Sequence, residues 1–357
     1  MQEGRVGTIG PTVIRVLSAV RAQLVTTAVH LPPAYRTMED ARARIAALGS
    51  PYVPPPGLLE DLTGVRGVHE RGDREQASDL AVAAAAKALA AAGLGIDDID
   101  LVLFTSCTQD LIEPATAHIV AAKLGAGCPV FDVKNACNSV LNGLEVAAAF
   151  IESGRYRTVL ITSGEAPTMT TRWTVPDHDA FLRALPGYTL SDAGAAVLLT
   201  AVPATDEGPG VLTTAFTADS TAWDRCVVEA GGTMHYRPTS PEPTYVRLND
   251  DRLRDAAIGI LPLVLERAAA ELELVRRSAF VAFHQISMPQ FHETIEQLGL
   301  PPDRCLPTVA EHGNAASASL PLQLVTALES DRVEPGDTVA LIGMASGFSV
   351  GLAVIRL

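Results

Sequence analysis

Apolar runs of strand length alternate with stretches of helical periodicity along most of the chain. Residues 100–106 (DLVLFTS), 158–163 (TVLITS) and 192–200 (DAGAAVLLT) are near-continuous apolar runs, the pattern of strands covered on both faces. A further strand is predicted within 13–29. Helices are predicted over 38–48, over 79–92 with Ser78 as N-cap and Gly93 as terminator, and over 115–124. Residues 131–133 read as a strand end, and Val140, Leu141, Leu144, Val146 and 147–150 as the buried face of the helix after it. Residues 168–190 read as irregular. The second half repeats the order: 211–216 opens it, 280–283 (FVAF) parallels 101–105, and a helix begins near Asn314. There 338–343 (TVALIG) parallels TVLITS, and 351–357 (GLAVIRL) parallels AVLLT. A long helix over 255–274 has to accommodate Pro262, and an insert rich in Pro and Thr covers 231–250. Two copies of one α/β unit, residues 1–200 and 201–357, predict a pseudo-duplicated layered α/β fold.

Of the 357 residues 48% are hydrophobic and 19% charged, a globular composition large enough to bury a sizeable core. No apolar run reaches membrane-spanning length, since the alanine-rich stretch 80–92 is interrupted by Lys87. The N-terminus lacks the basic flank, apolar block and cleavage site of a signal peptide, which predicts a cytoplasmic protein. A formal net charge of −14 is the opposite of the basic footprint that a nucleic-acid partner requires. The five cysteines, Cys107, Cys128, Cys137, Cys226 and Cys305, form no CxxC pair and no metal-ligand spacing with the eight histidines. Neither a disulfide framework nor a metal site is expected.

Cys137, at the strand-to-helix junction of FDVKNACNSV, is the candidate nucleophile. In the first turn of the helix it would meet unpaired backbone N–H groups and the positive end of the dipole, which favour a thiolate. The alternative is a small buried apolar residue. If a pseudo-twofold axis relates the halves, His284 at the end of FVAF and Asn314 at the start of its helix converge on Cys137. They would add a hydrogen-bonding imidazole and a neutral amide donor. Taken singly, His284 fits a structural histidine and Asn314 an N-cap. His312 is read as a neighbour of Asn314, and His118 and His292 as surface or packing residues.

FDVKNACNSVLNG, SDAGAAVLL, FHQIS, EHGNAASASLPLQL and GMASGFSVG stand in the order seen in the β-ketoacyl-ACP synthase III group of the thiolase superfamily, and the likeness covers nearly the whole chain. The resemblance implies a five-layer αβαβα sandwich assembled as a homodimer. It implies a catalytic triad of Cys137, His284 and Asn314, with the backbone N–H groups of Cys137 and Gly347 as the oxyanion hole. It implies no cofactor beyond the CoA or phosphopantetheine thiol that carries the substrate, and acyl-CoA or acyl carrier protein as partner.

Two departures redirect the expectation. Members that condense with malonyl-ACP usually carry His-Gln-Ala-Asn, whereas His284 is followed by Gln285, Ile286 and Ser287. Where those members place a phenylalanine before Pro-Ser-Thr, this chain has Glu113 before Pro114, Ala115 and Thr116. That pattern resembles the enzymes that join two acyl thioesters head to head in olefin and β-lactone biosynthesis, whose matching glutamate crosses the dimer interface as the base. Read without the resemblance, Glu113 is a solvated loop charge. Decarboxylative condensation with a malonyl thioester, acyl transfer to an alcohol or amine, and a non-catalytic subunit of a heterodimer are the alternatives. Trp173, Phe181 and Phe348 are substrate-binding candidates, with Trp173 and Phe181 alternatively capping the interface. Arg276 and Arg277, or Arg252 and Arg254, are candidate contacts for a carrier phosphate or an acidic carrier protein. No tryptophan stands beside Thr63, Gly64 and Val65, where the family's CoA-binding tryptophan is expected.

Overall fold

Within single strands, alternate side chains point to different layers, and this period of two builds the architecture. The computed structural model describes residues 18–248 and 268–357. In the strand Leu101–Thr105, Leu101 and Leu103 join one buried cluster while Val102 and Phe104 join another. In Phe280–Phe283, Phe280 and Ala282 face inward with Leu101, and Val281 and Phe283 face outward. The central cluster takes its helical part from Ser139–Glu152 (Leu141, Leu144, Ile151) and Ser319–Glu329 (Leu320, Leu324). The outer clusters are closed by the helices Ala77–Ala92 and Thr116–Leu124 on one side, and Ala269–Arg277 and Met288–Leu298 on the other. Helix, sheet, helix, sheet, helix is the resulting stack: a five-layer thiolase-like αβαβα sandwich.

The sheets repeat one pattern of pairing. Leu101–Thr105 runs parallel to Thr158–Glu165, which is antiparallel to Ala193–Pro203, itself antiparallel to Val20–His30. Phe280–Phe283 runs parallel to Thr338–Ala345, which is antiparallel to Ser349–Arg356, itself antiparallel to Gly210–Ala218. The first sheet adds Val130–Val133 as an edge strand parallel to Leu101–Thr105. Among the described residues no helix is long and apolar enough to cross a membrane.

Several expectations are corrected. Residues 168–190 are not irregular: His178–Thr189 is a helix despite Pro186. Asp177 caps it by accepting the Ala180 N–H at 2.7 Å, and Phe181, Ala184 and Tyr188 recur on one buried face. Ser78 lies inside Ala77–Ala92, and its hydroxyl bonds Asp110 instead of capping. The helix after Asn314 begins at Ser319, after a short 3-10 turn, so Asn314 is not its N-cap. Pro262, Arg252, Arg254 and most of the 255–274 helix lie outside the described residues.

Candidate active site

The nucleophile turn is built by the residues on either side of it. Asp132 lies in the strand Val130–Val133 and accepts the Thr116 and Ala117 N–H groups, fixing the start of the helix Thr116–Leu124. Ala136 then takes φ 45°, an uncommon conformation for a residue with a β-carbon, and turns the chain sharply before Cys137. Asn138, fully buried, is the N-cap position of Ser139–Glu152, so Cys137 stands just before the helix and not in its first turn. The thiolate expectation is corrected as well. Burial, followed by the Glu165 carboxyl, pushes the Cys137 thiol well above its ordinary range and outweighs the helix end.

Contacts from the second half hold this turn in place. Asn138 donates through Nδ2 to the Ser349 carbonyl at 3.1 Å and hydroxyl at 3.0 Å, and Asn135 Nδ2 reaches the same hydroxyl at 3.4 Å. Ser349 directly follows the turn containing Gly347 (φ 78°) and Phe348 (φ 56°), which brings the candidate oxyanion-hole segment beside the nucleophile turn. Gly343 packs against Asn138 so closely that a β-carbon there would lie 2.0 Å from its Oδ1. Gly343→Ala is therefore expected to cost about 1–3 kcal/mol and to shift the Cys137 turn. Denaturant unfolding and the rate of Cys137 alkylation check it, and unchanged values in both would contradict this packing.

His284 reaches the same place from the second sheet. Its N–H donates to the Ile342 carbonyl at 2.8 Å, one residue before Gly343. Gln323 grips the backbone before it, accepting the Phe283 N–H at 3.1 Å and donating to the Phe283 carbonyl at 2.9 Å. Gln285 donates to Gln323 and to the Leu306 carbonyl. His284 Nδ1 is buried with no hydrogen-bond partner among the described residues. Burial pulls the imidazole down to about 4, so it is neutral at physiological pH. The ordinary value near 6.5 applies once the chain unfolds. The unfolded chain then binds more protons between these values. Stability is complete above about pH 6.5 and falls by up to ~3 kcal/mol as the pH drops to about 4. Thermal unfolding from pH 7.5 to 4.5 checks this: His284→Asn should lose less than the wild type, and parallel losses would contradict it.

Asn314 is 8% exposed and lies in an Asx-like turn, where its Oδ1 accepts the Ala316 N–H at 2.9 Å. With the oxygen engaged inside the loop, the NH2 end is the group left to meet a ligand. Its backbone is pinned by the Thr189 carbonyl and the Ser191 N–H. His312 stacks on His69 with a 3.1 Å nitrogen–nitrogen contact, a neighbour as read, and His118 and His292 are exposed.

Other candidates are placed differently. Glu113 is exposed, and so are Leu111 and Ile112 before it, so this loop faces away from the protomer. Trp173 lies beneath the Arg44 guanidinium at 4.0 Å and packs on Tyr188, and Phe181 is fully buried against Tyr52 and Tyr188. Both belong to a packed aromatic cluster. Arg277 pairs with Glu273 and lines a cavity of about 600 Å³ at the far end of Phe280–Phe283 from His284, about 13 Å away by strand rise. Sequence reasoning missed Glu165, a fully buried carboxyl at the end of Thr158–Glu165. The one available signal was a charge closing an otherwise apolar run.

Comparison with known proteins agrees with the fold. Residues 131–220 match the family model for 3-oxoacyl-[acyl-carrier-protein] synthase III, and residues 268–357 match the model of its C-terminal part. The chain is 33% identical to β-ketoacyl-[acyl-carrier-protein] synthase III of Rhodospirillum rubrum over 305 residues, covering 84% of this chain and 90% of that protein. Among solved structures, a histidine-to-alanine variant of Xanthomonas campestris OleA superposes with a TM-score of 0.81 at 26% identity, over 94% of this chain and 98% of that one. FabH, the 3-oxoacyl-(acyl carrier protein) synthase III of Xanthomonas oryzae, also gives 0.81, at 27% identity over 94% and 99%.

Proposed function

The chain belongs to the β-ketoacyl-[acyl-carrier-protein] synthase III family and catalyses a thioester-dependent Claisen condensation; from that premise we propose that it joins two acyl thioesters through acyl-Cys137, with Glu113 as the base. What supports the reading is a buried, neutral imidazole with an unpaired nitrogen, on a strand end bonded to the residue before Gly343, and a buried amide with a free NH2 end. Two neutral donors suit an enolate oxygen.

Cys137 attacks the thioester carbonyl of an acyl-CoA or acyl carrier protein as its proton passes to His284. The Cys137 and Gly347 N–H groups hold the oxyanion. The tetrahedral adduct collapses to acyl-Cys137, and the carrier leaves as a thiol with the proton from His284. A second acyl thioester then binds with its carbonyl against His284 and Asn314. Glu113, from the partner of a homodimer, takes its α-proton, because a simple acyl thioester has no carboxylate to lose as carbon dioxide. The enolate carbon bonds to the acyl carbon and expels the Cys137 thiolate, which recovers a proton from Glu113. The product is a β-ketoacyl thioester. The exposed Leu111, Ile112 and Glu113 suit a loop that reaches a second copy.

The test is a panel of second substrates offered to the acylated protein, with products identified by mass spectrometry. A simple acyl thioester giving a β-keto product supports the reading. Discharge only by malonyl thioesters makes it a decarboxylative synthase, discharge only by an alcohol or amine an acyltransferase, and no acylation a non-catalytic subunit.

A further inference from the structure

Glu165 is fully buried, and no step above uses it. Its Oε1 accepts the Cys107 N–H at 3.0 Å, the Ser317 N–H at 3.4 Å and the Ser317 hydroxyl. Its Oε2 accepts the Cys107 thiol at 2.7 Å and the Thr108 hydroxyl at 3.5 Å. Ser317 lies three residues after Asn314, and Cys107 and Thr108 open the loop that ends in Glu113 and Pro114. One carboxyl group therefore joins the segments carrying Asn314 and Glu113 to the end of the strand Thr158–Glu165.

Such a group has an electrostatic effect as well. Burial pushes the Glu165 carboxyl up, while the Cys107 and Ser317 donors that converge on it favour its charged form; the Cys137 thiol is pushed up first by burial and then by the Glu165 charge. The other titratable groups around the pair are Cys107 on the loop and Cys226 on the short strand Cys226–Val227. Lys134, just before the nucleophile turn, opposes the effect at Cys107.

We propose that Glu165 is a positioning residue for the condensation: it holds the Asn314 segment against the strand end, fixes the root of the loop whose Glu113 serves the partner's site and, through its charge, restrains the reactivity of the Cys137 thiol. This rests on the assignment of Cys137 as nucleophile. The thiol then ionises only as attack proceeds, which protects it from adventitious alkylation between turnovers.

Two variants separate the two parts. Glu165→Gln keeps an acceptor oxygen for the Cys107 and Ser317 donors but removes the charge; Glu165→Ala removes both. The rate of iodoacetamide alkylation at Cys137, followed against pH by peptide mass spectrometry, should shift to lower pH in Glu165→Gln. At pH 8 it should rise at least ~3-fold. Condensation by Glu165→Ala should fall at least ~10-fold in kcat with Cys137 still acylated, whereas Glu165→Gln stays closer to the wild type. Superimposable alkylation profiles for wild type and Glu165→Gln would overturn the electrostatic part, and this comparison stands if Glu165→Ala does not fold. Condensation by Glu165→Ala equal to the wild type would overturn the positioning part. Alkylation needs no acyl substrate, so a wild-type protein that condenses nothing defeats the functional reading separately from this one.

Discussion

Replacing Cys137 by alanine abolishes covalent loading by acyl thioesters and lowers condensation by on the order of 10⁴-fold or more. The size follows from the role: without the sulfur there is no acyl-enzyme, and the enolate of the second substrate has no held electrophile to attack. The fold should survive, because the turn is held by Asn135, Asn138 and Ser349 and not by the thiol. Intact-protein mass spectrometry with an acyl-CoA checks it. Loading of Cys137→Ala at Cys107 or Cys226 would move the nucleophile to a different thiol.

The second large effect separates the half-reactions. Glu113→Gln should load Cys137 as the wild type does, yet discharge onto a simple acyl thioester ~10²–10⁴-fold more slowly, the usual contribution of a positioned base. A malonyl thioester generates its own carbanion, so any discharge with it should be indifferent to the substitution. Glu113 is exposed in the single protomer, so loss of activity without loss of thermal stability is the expected signature. Equal single-turnover discharge by wild type and Glu113→Gln would remove Glu113 from the mechanism.

Much of the fold is legible in the sequence because its signals are local. FVAF is a strand at Phe280–Phe283, and the repeat of apolar runs returns as one pairing pattern in both sheets. Short polar pieces were not visible: the pairing of Ala34–Thr37 with Gly67–Glu70 uses four-residue strands with little apolar periodicity. Pro186 concealed a helix whose cap and apolar spacing were both present. At the site, residue types and junctions could be read, whereas ionisation could not. The helix end near Cys137 is a local feature, but the burial and the Glu165 carboxyl that oppose a thiolate come from tertiary packing. Glu165 itself escapes a local reading because its partners lie 58 residues before it, at Cys107, and 152 after it, at Ser317.

The central claim is that a simple acyl thioester supplies the carbon nucleophile by losing an α-proton. The direct measurement loads the wild-type protein with an unlabelled acyl-CoA, removes the excess and adds a second acyl-CoA carrying two deuterons on its α-carbon. The β-keto product is then analysed by mass spectrometry under conditions that limit exchange at the new α-position. The account predicts a product joining both chains with one deuteron lost, formed as the Cys137 adduct disappears. An adduct that persists with this second substrate and is discharged by a malonyl thioester would contradict it.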